Sequence, residues 1–242
     1  MLKFTIFSIF ILFSQLVNCQ SNELLVKINL NTFSFAGPGA SPETIIYSPT
    51  DRDPFVANPY GSNGKISYNF ALAFQRNTKS RLVYGIAASY ENLKTQIRIT
   101  NPLSFENTTY IGDGVNILKF QYLNLHPFIG LSVADKGDSR IDIKLVSDVA
   151  YLLKSNESVN YYSNQGTLEF NYNRDQPKND YRIGFGTSIF ISRFCLNIEY
   201  LIGISNFDPD KGSPLVDVDN SIYSKVFRFG IGYLLTNKKS SD

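Results

Sequence analysis

The sequence predicts an all-β chain: an eight-stranded antiparallel up-and-down transmembrane barrel (residues 20–242) behind a cleaved N-terminal signal peptide (residues 1–19). Three observations predict it. Apolar residues alternate with small or polar ones at period 2 over much of the chain. The connections between these runs alternate between short and long. The bulky residues gather on one face of each run, and Gly, Ala and Ser gather on the other.

The start of the chain sets the compartment. Met1-Leu2-Lys3 is a short basic region, and Phe4 to Val17 is an apolar stretch interrupted only by Ser8, Ser14 and Gln15. A core of roughly 14 residues suits a secretory signal better than a membrane-spanning helix. Cleavage is expected after Cys19, so that Gln20 begins the mature chain. The rival reading takes Leu16-Val17-Asn18-Cys19 as a lipobox with Cys19 lipidated. Either way Cys195 is left alone, so no intrachain disulfide is available. With one histidine, His126, no four-ligand zinc site is available either. No cofactor is expected.

Composition agrees. The chain has 15 Tyr, 19 Phe and no Trp, a β composition. Net charge is +2, and the basic residues are scattered, which argues against a nucleic-acid partner.

The clearest alternation runs from Lys65 to Gln75, where Ile66, Tyr68, Phe70, Leu72 and Phe74 share a face. Arg81 to Glu91 repeats it with Leu82, Tyr84, Ile86, Ala88 and Tyr90, and Asn77-Thr78-Lys79-Ser80 turns between them. A second hairpin joins Tyr181–Ile191 to Phe194–Phe207 around Ser192-Arg193. The last strand covers about Tyr223 to Leu235. Weaker strands are expected over Leu24–Phe35, Val115–Ser132 and Arg140–Leu153, the last two meeting at Asp135-Lys136-Gly137-Asp138. Residues 36–64, 101–114, 154–178 and 206–221 are the long connections, and they hold nine of the ten prolines. Proline breaks a strand ladder, so its placement supports the strand map. Pro127 is the exception and is expected to mark a bulge or an early end of the fourth strand. Short turns at one end and long loops at the other are the layout of outer-membrane barrels.

A soluble barrel would turn the apolar face inward. Side-chain size argues the other way, because an eight-stranded barrel has an interior just wide enough for side chains to fill. Five outward residues span about ten positions, roughly 33 Å at about 3.3 Å per residue. A tilt of about 40° brings that to roughly 25 Å, the height of an apolar band. Tyr68, Tyr84, Tyr90, Tyr200 and Tyr233 on that face are candidates for interfacial aromatic girdles.

The inward face is expected to collect Lys65, Arg81, Glu91, Lys119, Asp142, Lys144, Asp148, Arg182, Glu199 and Arg228 as a structural charge network, since buried charges must pair. Enzymatic chemistry is not expected. Acyl transfer wants a His beside a Ser or paired with an Asp, and counting strands places His126 near the periplasmic end of the fourth strand. Asp208-Pro209-Asp210-Lys211-Gly212 with Asp217 and Asp219 resembles the start of a calcium loop but lacks its remaining ligand positions. Asn107-Thr108-Thr109 and Asn156-Glu157-Ser158 are read as chance matches to glycosylation acceptors.

The segment Phe194 to Pro209 (FCLNIEYLIGISNFDP), the closing FRFGIGYLL of Phe227–Leu235, and Phe120–Ser132 (FQYLNLHPFIGLS) followed by Asp148–Leu153 resemble the PorT-like β-barrel domain of small Bacteroidetes outer-membrane proteins. The polar tail Thr236–Asp242 departs from that pattern. The resemblance implies an outer-membrane barrel, and one member of the family takes part in type IX protein secretion. No catalytic residue carries over. The expected role is a non-enzymatic anchor, scaffold or binding protein with membrane lipid around it and a protein partner engaged through loop 36–64. The alternative is a small-solute or ion pore.

Overall fold

A computed structural model describes residues 19–47, 55–100, 103–105, 108–110, 112–164, 166–173, 177–207 and 221–239. The leader Met1–Val17 and the acidic stretch Asp208–Asp219 lie outside them. Eight long strands form the wall: β1 (Cys19–Ala36), β2 (Asn63–Thr78), β3 (Leu82–Ile99), β4 (Gly112–Lys136), β5 (Ser139–Ser163), β6 (Asn179–Ile191), β7 (Phe194–Gly203) and β8 (Tyr223–Lys239). Each pairs antiparallel with its neighbour in sequence, and β8 pairs back onto β1 from Ser21↔Lys239 to Ala36↔Tyr223. The sheet is therefore a closed ring without an edge, which is how a β structure satisfies its backbone in lipid.

The short turns need left-handed backbone. Arg81 has φ 66° and Ser192 has φ 55°, and Gly137 takes φ 62° between β4 and β5. Thr78 stabilises the first turn, its Oγ1 accepting from the Leu82 amide at 2.9 Å. These turns, the start of β1 at Cys19 and the end of β8 at Lys239 share one end of the barrel, the periplasmic end in this layout.

The outward faces form the expected apolar belt. Ile66, Phe70, Leu72, Phe185, Phe194, Ile204 and Ile231 are each at least half exposed in the isolated chain, a surface that only lipid covers without cost. Tyr68, Tyr90, Tyr151 and Tyr181 lie toward its outer border, and Tyr84 and Tyr233 toward its periplasmic border; Tyr200 sits between.

Two parts of the strand map need correction. The long connection expected at 154–178 is largely strand, because β5 runs on to Ser163 and an additional strand, Gly166–Asn173, pairs with it from Asn156↔Asn173 to Ser163↔Gly166. The apolar residues here face inward, Val159 and Tyr161 packing with Leu168, Phe170 and Tyr172, and the outward positions are mostly polar, the reverse of the pattern that marks a strand inside lipid. Pro127 neither ends β4 nor bulges it. The ladder to β5 lapses between Val146↔Phe128 and Val149↔Leu125 and resumes in the same register. The shifts in that pairing fall at Ile141/Asp142 and Leu152/Lys154.

Loop 36–64 folds back over the outer end. Glu43–Thr44 runs parallel to Arg98–Ile99 of β3, and Ile46–Tyr47 pairs with Phe55–Val56.

Candidate functional site

The lumen is the one place where the fold concentrates chemistry, and three layers fill it. At the periplasmic mouth, Arg140 donates through both Nη atoms to Glu23, at 2.7 and 2.8 Å, and its guanidinium lies 4.0 Å from the centre of the Phe190 ring. Asp142 and Lys144 are buried just inside. A polar cavity of about 360 Å3 opens there, lined among others by Glu23, Arg81, Asp135 and Arg140.

The middle layer is ionic. Arg228 donates from Nη2 to Asp148 Oδ2 at 2.6 Å and from Nε to Glu91 Oε1 at 2.9 Å. Arg182 donates to Glu91 at 2.8 Å and to Asp180 at 2.6 Å. Glu199 takes a third contact from Arg228 at 3.3 Å. Glu91, Asp148, Asp180, Arg182 and Arg228 are all at most 1% exposed. Full burial of two guanidiniums is tolerable only because several carboxylates converge on them.

A chain of side-chain hydrogen bonds girdles the same level. Asn197 donates to Asn29 at 2.8 Å, Asn29 to Asn69 at 2.7 Å, and Asn69 to Ser89 at 2.9 Å. Ser89 Oγ lies 2.5 Å from His126 Nε2, and His126 Nδ1 lies 2.5 Å from Asp148 Oδ1. An ionised carboxylate only accepts, so Nδ1–H donates to Asp148, while Nε2 and the Ser89 hydroxyl share a hydrogen bond.

The outer layer is aromatic. Phe33, Phe35, Phe120 and Phe207 meet edge to face with centroids 5.0 to 6.2 Å apart, and Tyr60 of loop 36–64 closes on Phe35 at 5.1 Å. Tyr60 Oη also donates to the Phe207 carbonyl at 3.3 Å. Arg182 joins the layers, its guanidinium 5.2 Å from the Tyr122 ring centre.

Of the residues expected in the charge network, Glu91, Asp142, Lys144, Asp148, Arg182, Glu199 and Arg228 face the lumen. Three do not. Arg81 sits in the β2–β3 turn, where its positive φ takes it out of the strand alternation to the periplasmic mouth. Lys65 is exposed at the outer end of β2, beside a register shift between Gly64 and Tyr68. Lys119 faces outward, because Phe120 and Tyr122 take the inward positions on that stretch of β4. His126 is at mid-lumen rather than at the periplasmic end, since β4 continues ten residues beyond it.

The aromatic layer was not anticipated. Its signal is a change of parity without a bulge in the strand: bulky residues occupy even positions at Phe120 and Tyr122 and odd positions from Leu123 onward.

Ser89, His126 and Asp148 are ordered like a hydrolase triad, but there is no room for a substrate. The cavity beside His126 holds about 20 Å3, space for one water.

No family model matches the chain, and no curated protein matches it. Among solved structures it is similar to Ail, the attachment invasion locus protein of Yersinia pestis, at 9% identity and a TM-score of 0.36, over 89% of this chain and 99% of that one. It is similar to the Salmonella type III secretion secretin InvG at 12% identity and a TM-score of 0.16, over 98% of this chain and 71% of that one. It is similar to the toluene transporter TodX of Pseudomonas putida at 10% identity and a TM-score of 0.15, over 89% of each chain. At these TM-scores the likenesses carry no weight. The closed ring and the lipid-facing belt themselves define a membrane-spanning barrel of outer-membrane architecture, its lumen built as a core.

Proposed function

We propose that this protein is a non-enzymatic barrel of the bacterial outer membrane that presents a binding surface on its outer cap. The observation that carries the reading is the filled lumen: an ion-paired layer lies beneath an aromatic one, so function is left to the surfaces outside it. Loop 36–64 supports the same reading. It is the longest connection, and Tyr60 fastens it to the aromatic layer, so it is held as a shaped surface rather than a tether.

Deleting the whole loop would strip Tyr60 from the lumen. Replacing residues 48–54, between its two paired segments, with a Gly-Ser stretch is the cleaner test. The variant is expected to keep the heat-modifiable folded band on a gel and to lose the proteins that co-purify from native membrane. Retention of the same partners would sink the idea. Service in type IX secretion is the narrower form of this proposal. It rests on the PorT-like sequence pattern and is tested by whether a null strain still exports that system's cargo.

A further inference from the structure

Lys119, expected in the lumen, instead joins two other lysines on the outside of the wall. Lys94 of β3 and Lys119 of β4 are direct cross-strand partners. Lys154 of β5 pairs with Gln121, one outward position below Lys119. All three face outward; Lys119 and Lys154 are exposed and Lys94 is half-buried. Directly opposed like charges on a sheet destabilise it, their Cβ atoms being about 4.5–5.5 Å apart. Among the described residues no carboxylate pairs with these lysines on the outside of the wall. The surrounding outward positions are amides, Gln121 and Asn156 next to the lysines and Asn173 beyond, with Asn156 donating to Asn173 at 2.7 Å. Glu157 is turned inward and buried. The outward carboxylates Asp113 and Glu169 stand in rows farther from the belt, and Asp113 is paired with Arg98 at 3.7 Å.

The height of this patch is fixed by the register. The last outward apolar residues on the same strands are Tyr90, Leu123 and, at the irregularity between Leu152 and Lys154 of β5, Leu153. Lys154 and Gln121 form the next row and Lys94 and Lys119 the one after. Successive outward residues are about 6.6 Å apart along a strand, or roughly 5 Å of height at a tilt of about 40°. The three ammonium groups therefore lie at the boundary where hydrocarbon gives way to headgroups, above an aromatic border.

We propose that this lysine patch on β3, β4 and β5 binds the phosphorylated headgroup of an outer-leaflet glycolipid, with the amides around it hydrogen-bonding the sugar. The phosphate supplies the counter-charge that the wall lacks, and the acyl chains lie down the apolar belt below. The proposal rests on the membrane-spanning reading, which is checked independently by heat-modifiability and insertion into vesicles.

The test titrates the folded full-length barrel in a zwitterionic detergent with a bis-phosphorylated glucosamine-disaccharide glycolipid and with the same glycolipid stripped of both phosphates. Native mass spectrometry reads the bound fraction. The phosphorylated form is expected to bind and the stripped form not to. The Lys94→Gln/Lys119→Gln/Lys154→Gln variant should bind roughly 100-fold more weakly, from about one kcal/mol per lysine. The corresponding triple Arg variant should bind as the native chain does. Lys136→Gln, at the periplasmic end of β4, should change nothing. Equal binding of the stripped glycolipid, an unaltered triple Gln variant that still shows the folded band, or displacement by millimolar inorganic phosphate would each overturn the proposal.

Discussion

Arg228 on β8 and Asp148 on β5 meet across the lumen, Nη2 to Oδ2 at 2.6 Å, although three strand-to-strand steps separate them around the wall. The pair ties opposite sides of the barrel together. Arg228 also satisfies Glu91 and touches Glu199. Replacing it with Met would leave Asp148 to His126 and to Arg182, the latter at 3.5 Å, and Glu91 to Arg182 alone among the cations that touch it. Breaking a buried ion pair from one side costs about 3–5 kcal/mol. Arg228→Met is therefore expected to lower the urea midpoint of the folded barrel in vesicles, followed by far-UV circular dichroism since the chain lacks Trp. Arg228→Lys should fall between, because an ammonium cannot span Asp148 and Glu91 with a rigid fork. An unchanged midpoint for the Met variant would show that the network carries no stability.

Gly230 is where the hydrogen-bonded hoop crosses β8. Asn197 and Asn29 both register with Gly230, and they bond directly over it. A Cβ at that position would collide with Asn29 Oδ1 and with the Ile28 carbonyl. Backbone does not yield cheaply, so Gly230→Ala is expected to cost about 1–3 kcal/mol through overpacking and to reduce the yield of heat-modifiable barrel. Gly232→Ala is the contrast. A Cβ there would meet the Lys27 Cγ at 3.2 Å and the Val26 carbonyl oxygen at 3.3 Å, and it should be tolerated far better.

Ser89 answers the question that the lone histidine raised. The residue is 3% exposed, and its hydroxyl accepts from Asn69 and is hydrogen-bonded to His126 Nε2. A nucleophile needs a site where a reacting atom can sit about 3 Å away, and the adjoining cavity has room only for water. A fluorophosphonate probe is expected to leave the folded barrel unlabelled. Ser89→Ala should cost about 1–3 kcal/mol, the penalty for leaving buried partners unsatisfied. Stoichiometric labelling at Ser89 would instead make the chain a hydrolase.

The wall of β2, β6, β7 and β8 was legible because most bulky residues of each strand keep one parity through the belt, with Phe190, Leu201, Val226 and Leu234 the inward exceptions. Lipid on one side and a narrow lumen on the other impose the same size rule along the belt. The rule lapses where the membrane ends. There Phe33 and Phe120 turn inward to close the barrel, and Lys119 is free to face outward. A reading that keeps the bulky Phe120 and Tyr122 outward therefore turns Lys119 inward and misplaces it. The strand beyond Lys154 was illegible for a related reason, since in SNESVNYYS only Val159 and Tyr161 mark its inward face and its outward face is mostly polar. The Ser89–His126–Asp148 contact was hidden by Pro127, which looks like a strand end but costs β4 only a lapse in one ladder.

The filled lumen makes its own prediction about transport. Phe33 and Phe120, with centroids 5.6 Å apart, sit at the centre of the outer layer, and Arg182, Arg228, Glu91 and Asp148 occupy the section beneath. Either layer alone is dry and crowded enough to exclude hydrated ions. The native barrel is expected to give no steady single-channel steps in planar bilayers. Phe33→Ala and Phe120→Ala should each cost about 3–5 kcal/mol of stability, and the double variant should still not conduct, because the ion-paired layer remains. Conductance in the double variant alone would locate the seal in the rings. Ohmic steps from the native chain would favour the pore reading over the binding surface, since ions would then be passing through a section that the geometry fills with paired side chains.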